Sequence, residues 1–483
     1  MNQILTNLKK LKLPRVFCFL FIFLSLMSSH FKGHSQTQYE FDENNNKVIS
    51  RECLLEDIDT AMSNLVVFYP SLYEHISKPE LDKKIAQLKV SLEDSLTANA
   101  FCLRLMHTLN CIGDGHMIAY TTDFIPGQPK SAKTQIYPLS MFNYKILDNK
   151  LYLVKSDERS AFENGTEIIS INNQPSKTIL DSLKKFIFSD GNSDQLKGFM
   201  LDNGVFPVLY HEVFQNKKSL TLTWKHGNST GHTLIGHAIS HKPFNALIEP
   251  EPSREDFSSR HYAYLKIGTF LDMKGEIDPY ASFFKTLKEQ KSKTLIIDLR
   301  SNMGGSNQLT KCLLSHLITT STTFQKIATT DDTQKFLATD DRFLDLVRQL
   351  QAETAPVIPD SVYFDGEIYL IINEGTFSSA SFFAEYLRSA RKITIVGAES
   401  GGSKKIATAG ITVTTDLPNS HVRLSYGLLS FRTIRGQAQL APGTGVVPDK
   451  EISYTIQEYL SKRDLEMEWI KKEIQKKGGN IQE

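Results

Sequence analysis

The side chains able to do chemistry gather where two apolar runs break. The run Glu367-Ile-Tyr-Leu-Ile-Ile372 stops at Asn373-Glu-Gly375 and resumes as a helix-like stretch from Ser381 to Arg391, with Ser378 and Ser379 at the break. A hydroxyl at a strand-to-helix turn is exposed, and the first N–H groups of the helix face any oxyanion formed beside it. Either serine could attack a carbonyl, although the segment also fits a serine-rich helix cap. The run Lys293-Thr-Leu-Ile-Ile-Asp298 leads into Leu299-Arg-Ser-Asn-Met-Gly-Gly305, ahead of helix-like Asn307 to Leu317. Adjacent glycines let backbone approach a ligand closely and turn an N–H toward it. Two turns could therefore supply oxyanion donors.

A serine hydroxyl needs a base within hydrogen-bond reach. Asp114-Gly-His116 lies in the glycine-punctuated turn Cys111 to Ala119, and an imidazole needs no large shift from its usual pKa of about 6.5 to take a proton. Lys404 sits between Ser403 and Lys405. That setting shows little of the apolar pocket that would lower a lysine from about 10.4. The bland readings are a histidine packed at a strand start and a solvated pair of loop lysines.

Three ordered motifs resemble the carboxy-terminal processing, or tail-specific, serine peptidases: Asp298-Leu-Arg-Ser-Asn-Met-Gly-Gly305, Asn373-Glu-Gly-Thr-Phe-Ser-Ser-Ala380 and Gly443-Thr-Gly-Val-Val-Pro-Asp449. The resemblance implies that Ser378 is the nucleophile and that the Ser379 N–H is one oxyanion donor. The other would be an amide at Gly304 or Gly305, with Gly304 the favoured choice. One branch of the family uses a lysine in a Thr-x-Gly-Lys-Gly segment. Here the corresponding stretch is Gly397 to Lys405, with Ser403 at the lysine position and Lys404 displaced by one. Another branch, similar to the tricorn core peptidase, uses an amino-terminal histidine after an Asp-x-His signature, which Asp114-Gly-His116 matches. His116 is thus the expected base and Lys404 the alternative. A third member stays unassigned, with Asp114 and Glu399 as candidates to orient the ring, and Ser381 stands where the family often has an acidic residue, with no role assigned to it.

Strand–helix alternation after residue 255 argues for α/β layering. The resemblance implies a spiral ββα catalytic core of the ClpP/crotonase kind. Apolar residues at three- and four-residue spacing in Leu54–Tyr69 and Leu81–Leu109 predict a helical amino-terminal region. Leu151-Tyr-Leu-Val154, Gly165 to Pro175 and Ser219 to Trp224 resemble PDZ strands, with Thr166 where Asp is usual and Asn173 where Gly is usual. The segment between them is long and partly helical. A PDZ domain would take an extended chain end by strand addition. The expected organisation is a signal peptide over 1–35, a helical domain over 36–125, a PDZ-like insert over 130–245, a catalytic domain over 255–460, and a charged helix and tail over 461–483.

A length of 483 residues suggests two to four domains. A net charge of +1 without clustered basic residues argues against nucleic acid. Lys9, Lys10, Lys12 and Arg15 precede the apolar run Val16–Met27 and a polar exit, which reads as a secretory leader cleaved near Ser35 or Gln36. No other stretch is long enough to span a bilayer, so a secreted or periplasmic protein without a membrane span is expected. Cleavage leaves Cys53, Cys102, Cys111 and Cys312, which allow two disulfides or four free thiols. No metal-ligand spacing and no cofactor motif are present. The expected partner is a polypeptide substrate. A non-catalytic binding relative of the same fold is the competing reading, motivated by the altered lysine segment. Oligomeric state is not legible.

Overall fold

The computed structural model describes residues 40–41, 47–121, 138–156, 162–191, 193–214, 219–236, 253–259, 261–271, 278–337, 348, 354–434 and 445–477. The leader expected over 1–35 lies outside them. The chain is a mixed α/β protein. Its amino-terminal part has three helices, α1 (Arg51–Phe68), α2 (Lys78–Ser91) and α3 (Ala98–Leu109), beside a small sheet of Glu40–Phe41, Lys47–Ser50 and Ser95–Thr97. Ser77 and Glu80 form a reciprocal cap at the start of α2, and Thr97 caps α3, so donors that have no partner inside the helix are satisfied locally. These helices are tied to the carboxy-terminal half of the chain. Asp57 on α1, fully buried, accepts from the Asn419 and Ser420 N–H groups. After α3 the chain turns through Gly113 (φ +72°) and His116 into the short strand β1 (Ile118–Tyr120).

Next comes an antiparallel sheet in the order β6-β5-β4-β3-β2, formed by β2 (Phe142–Leu147), β3 (Lys150–Ser156), β4 (Thr166–Ile171), β5 (Ser219–His226) and β6 (Ser229–Gly236). Between β4 and β5 run α4 (Ser176–Leu183), α5 (Gln195–Met200) and α6 (Phe206–Phe214). The expected strands are present. The intervening stretch holds three helices, and its loop at Asp190 reaches back to the amino-terminal turn: the Gly191 N–H donates to Gly113 O at 2.8 Å.

A six-stranded sheet has the order β7-β8-β9-β11-β12-β15: β7 (Arg254–Asp256), β8 (Ala263–Lys266), β9 (Thr294–Asp298), β11 (Glu367–Ile372), β12 (Thr394–Gly397) and β15 (Lys450–Glu451). From β8 to β15 all pairs are parallel. Parallel sheets are covered on both faces, which is why Leu295-Ile-Ile297 and Ile368 to Ile372 are apolar at every position. Leu295, Ile297, Ile368, Leu370 and Ile372 face the main core, with α7 (Ala281–Glu289), α8 (Asn307–Ser315) and α9 (Ser379–Ala390) supplying residues to it. Ile296, Tyr369 and Ile371 face the other way and meet Ile470 and Ile474 of α10 (Leu465–Lys476). The charged carboxy-terminal helix thus closes one face of this sheet.

A second antiparallel sheet, β10 (Gln325–Ala328), β14 (Arg423–Thr433) and β13 (Ile406–Asp416), takes β1 onto β14. Pairing of Ile118–Tyr120 with Arg423–Ser425 carries the His116 turn onto the catalytic half. Cys53, Cys102, Cys111 and Cys312 are free thiols. No helix among the described residues is long and apolar enough to cross a membrane.

Candidate active site

Strands β9 and β11 run side by side with Asp298 opposite Ile371, so the turns at their carboxyl ends leave the same end of the sheet together. Short side chains fasten one turn to the other. Asn373 Oδ1 accepts from the Ser301 N–H at 2.7 Å and the Gly375 N–H at 3.1 Å. Thr376 Oγ1 donates to Leu299 O at 2.9 Å, and the Phe377 N–H donates to Asn302 O at 3.0 Å. Asn302, fully buried, donates through Nδ2 to Ile267 O and accepts the Gly304 N–H on Oδ1 at 2.8 Å. Ser381 Oγ donates to Thr376 O at 2.9 Å, which gives that residue a structural part in the turn.

Arg300 fixes the turn from behind. Its guanidinium donates to Asp298, Asp464 and Glu466, and Tyr264 OH donates to Asp298 as well. Burial would raise the Asp298 carboxyl, but Arg300 and Lys266 outweigh it and hold the group below its usual range. The same contacts tie the end of β9 to the start of α10.

Ser378 stands immediately before α9 with φ +54° and ψ −129°, the backbone of the first central residue of a type II′ turn. A residue other than glycine in that region is strained. Ser378 is buried, with 6% of its surface exposed. The Gly304 Cα lies against it: a Cβ there would sit 2.8 Å from Ser378 Cβ. The favoured donor needs correction, because the Gly304 N–H is already given to Asn302. Among the described residues the Gly305 and Ser379 N–H groups carry no hydrogen bond. Ser379 Oγ donates to Gly305 O at 3.0 Å, joining the two residues that hold those amides.

His116 Nε2 lies 2.9 Å from Ser378 Oγ across 262 residues of sequence. With the ring proton on Nδ1, the hydroxyl donates to Nε2, as a general base requires. Phe377 stacks on the ring at 4.7 Å. Asp114 Oδ1 accepts the His116 backbone N–H at 2.8 Å, and its Oδ2 accepts Tyr69 OH at 2.6 Å. His116 Nδ1 lies 3.5 Å from Asp114 Oδ1, close enough for electrostatic attraction but long for a hydrogen bond. Asp190 stands on the same side, with a carboxylate oxygen, an Asp114 oxygen and a His116 ring nitrogen all within 4.8 Å of one another. Burial by itself would lower the imidazole pKa. Asp114 and Asp190 together reverse this and raise it above the ordinary 6.5. Burial also pushes the Asp190 carboxyl up to about 6, against the pull of His116.

The alternative base is placed differently. In the 397–405 loop the residue against the nucleophile is Gly402, where a Cβ would fall 2.6 Å from Ser378 N. Lys404 O accepts from Thr433 Oγ1, and among the described residues its ammonium has no hydrogen bond or ion pair. Glu399, considered as a partner for the ring, instead accepts the Gly445 N–H at 2.8 Å. Asp449 accepts the Ile395 N–H and so secures β12. Gly443 and Thr444 lie outside the described residues. Sequence reasoning missed Tyr69, Phe377, Asn302 and Asp190 as parts of the site. Only Asn302 and Phe377 lay inside a recognised motif, and Asp190 carried no local signal at all.

The chain was compared with known proteins. Residues 261–452 match the model of Peptidase family S41. No curated protein sequence matches. Mature CPAF is 17% identical with a TM-score of 0.62, covering 89% of this chain and 99% of that one. Mature CPAF complexed with lactacystin is 16% identical with a TM-score of 0.62, covering 88% and 98%. The photosystem II D1 C-terminal processing protease is 13% identical at a TM-score of 0.40, covering 83% and 93%. At such identities the CPAF likeness speaks for the fold. The family match spans both fastened turns, Ser378 included, and leaves His116 and Asp190 outside it. Residues 261–452 therefore form a peptidase family S41 domain, and the chain is a serine-type peptidase.

Proposed function

We propose that the protein is an exported endopeptidase that cleaves peptide bonds through an acyl-enzyme on Ser378, with His116 as the general base. The observation that carries this reading is the 2.9 Å approach of His116 Nε2 to Ser378 Oγ at a strained turn, flanked by two N–H groups that have no hydrogen bond among the described residues. As Oγ bonds to the substrate carbonyl carbon, its proton passes to Nε2. The carbonyl oxygen takes the negative charge and faces the Gly305 and Ser379 N–H groups, where fixed donors act chiefly on the transition state. The imidazolium then protonates the leaving amine as the C–N bond breaks. Water, deprotonated by the same nitrogen, releases the acyl group and restores Ser378. Asp114 orients the base through its hydrogen bond to the His116 backbone and its charge beside Nδ1.

The finer architecture belongs to this reading too. We assign the parallel sheet with α7 to α9 to a spiral ββα core of the ClpP/crotonase kind, and the β2–β6 sheet to a PDZ-like domain that presents an extended substrate end. Export rests on the basic and apolar pattern of residues 9–27.

Labelling with a serine-reactive phosphonate tests the proposal. Ser378→Ala should abolish labelling, His116→Ala should reduce peptide turnover to near background, and Lys404→Ala should leave it within a few-fold. Loss of turnover in Lys404→Ala with a working His116→Ala enzyme would refute it.

A further inference from the structure

Asp190 belongs to the segment between β4 and β5, far from every motif of the peptidase domain, yet it is buried at the centre of the site at 3% exposure. Both of its oxygens are used. Oδ1 accepts the Gly115 N–H at 2.8 Å, next to the base, and Oδ2 accepts the Ser403 N–H at 2.8 Å, next to Gly402 and the nucleophile. One carboxylate thus spans the two loops that flank the Ser378–His116 pair. Its own segment is held in turn: Gly191 N–H bonds Gly113 O, Leu196 meets Gly401, and Phe199 meets Gly375. A carboxylate accepting one backbone N–H from each of two loops is a fastener with a charge, and that charge faces an imidazole that becomes cationic during the reaction.

We propose that Asp190 is a positioning residue for the base: it sets the distance between the His116 turn and the Gly402–Ser403 loop, and its negative charge stabilises the imidazolium formed when Ser378 gives up its proton. This rests on the reading of His116 as the base. The groups around the ring are few. Asp114 and Asp190 are the carboxylates. Tyr69 OH is hydrogen-bonded to Asp114, and burial together with the neighbouring carboxylate raises its pKa far above the reaction range. His75 lies beyond Asp114; burial lowers it, opposed by Glu74 and Asp114. Glu74 is itself paired with Arg432 at 2.9 Å and Lys405 at 3.7 Å. Removing the charge at 190 therefore leaves Asp114, among the described residues, as the one carboxylate directly beside the ring.

The test is the pH dependence of kcat/KM on a quenched peptide, and of phosphonate labelling, in the full chain. Turnover needs a neutral imidazole, so lowering the imidazole pKa moves the acid limb to lower pH. A charge within about 4–6 Å shifts a neighbour by about one unit or more. Asp190→Asn should move the limb down by about one pH unit and lower kcat roughly tenfold or more, with KM little changed. Asp190→Glu keeps the charge and should keep the limb near its wild-type position. An asparagine that accepts the Gly115 N–H sets its NH2 against the Ser403 N–H, so Asp190→Ala is the variant to read if the amide does not fold. The methyl side chain leaves room for water beside the small cavity lined in part by Tyr69, Ser71, His75 and Asp114. A folded Asp190→Asn or Asp190→Ala enzyme whose acid limb has not moved overturns the proposal, however low its kcat. If His116→Ala retains turnover, the base assignment itself has failed. If His116→Ala is inactive and the limb is unmoved at 190, only the role of Asp190 falls.

Discussion

One methyl group at Gly304 should separate the chemistry from the fold. In Gly304→Ala the new Cβ would lie 2.8 Å from Ser378 Cβ, 2.9 Å from Phe377 O and 3.1 Å from Ser379 N. Two of these three atoms are backbone and cannot rotate away. Ordinary carbon–carbon contact is about 3.5–4.0 Å, so the Gly304 turn and the Ser378 turn must separate by roughly 0.7–1.2 Å. The left-handed φ of +99° adds about 1–2 kcal/mol for an L residue. A misplacement of about 1 Å in a reacting constellation lowers turnover about 100-fold, which is about 2.7 kcal/mol of transition-state stabilisation. The variant should thus lose some stability in urea and far more kcat, with KM held within a few-fold. Steady-state kinetics on a quenched peptide, the phosphonate labelling rate and urea unfolding on one preparation decide the matter. A folded Gly304→Ala enzyme with kcat within twofold of wild type would show that this turn does not border the reacting carbonyl.

The same geometry sets further outcomes. Because Asp114 and Asp190 raise His116 despite burial, the acid limb of kcat/KM should centre above 6.5 in the wild type; a limb below that value contradicts the electrostatics. Tyr69→Phe removes a 2.6 Å bond to a buried carboxylate and should destabilise by about 1.5–3 kcal/mol in urea, with a smaller loss of kcat. Arg300→Leu leaves the fully buried Asp298 without its main partner. It should destabilise by about 3–5 kcal/mol and expose the chain end to limited proteolysis as α10 loosens. Since the Asp298 carboxyl is held below its usual range, its stabilising effect is present above about pH 4 and lost as pH falls through the folded-state value. Arg300→Leu and wild type should therefore differ less in urea at acid pH than at neutral pH.

The parts of the site written in contiguous residues were legible. Glu367–Ile372 forms a strand as its unbroken apolar run predicts, and Thr294–Asp298 forms one within the run that ends at Asp298. The helix after Ser378 begins two residues earlier than periodicity suggests, because its first turn carries serines and alanine rather than large apolar groups. The choice between Gly304 and Gly305 was not legible. It depends on the side chain of Asn302, which captures one N–H and leaves the next without a partner. Asp190 was hidden for another reason: its partners Gly115 and Ser403 lie 75 and 213 residues away, and a single aspartate in a loop has no periodicity to read. The packing of the charged end was not legible because Ile470 and Ile474, one turn apart, make a narrow apolar stripe among lysines and glutamates.

The backbone of Ser378 sets resistance to denaturation against catalytic competence at one residue. Its φ of +54° and ψ of −129° suit glycine and penalise every side chain that starts with a Cβ. Serine at 378 holds its oxygen toward His116 in a shape the isolated chain would avoid, and the neighbouring hydrogen bonds keep it there. Dead variants should then rank by backbone rather than by chemistry. Ser378→Ala keeps the disfavoured torsions, whereas Ser378→Gly relaxes them and should unfold at a higher urea concentration than Ser378→Ala. Directed selection for a hardier version of this protein would be drawn to glycine at 378, and the enzyme would be lost by that same step.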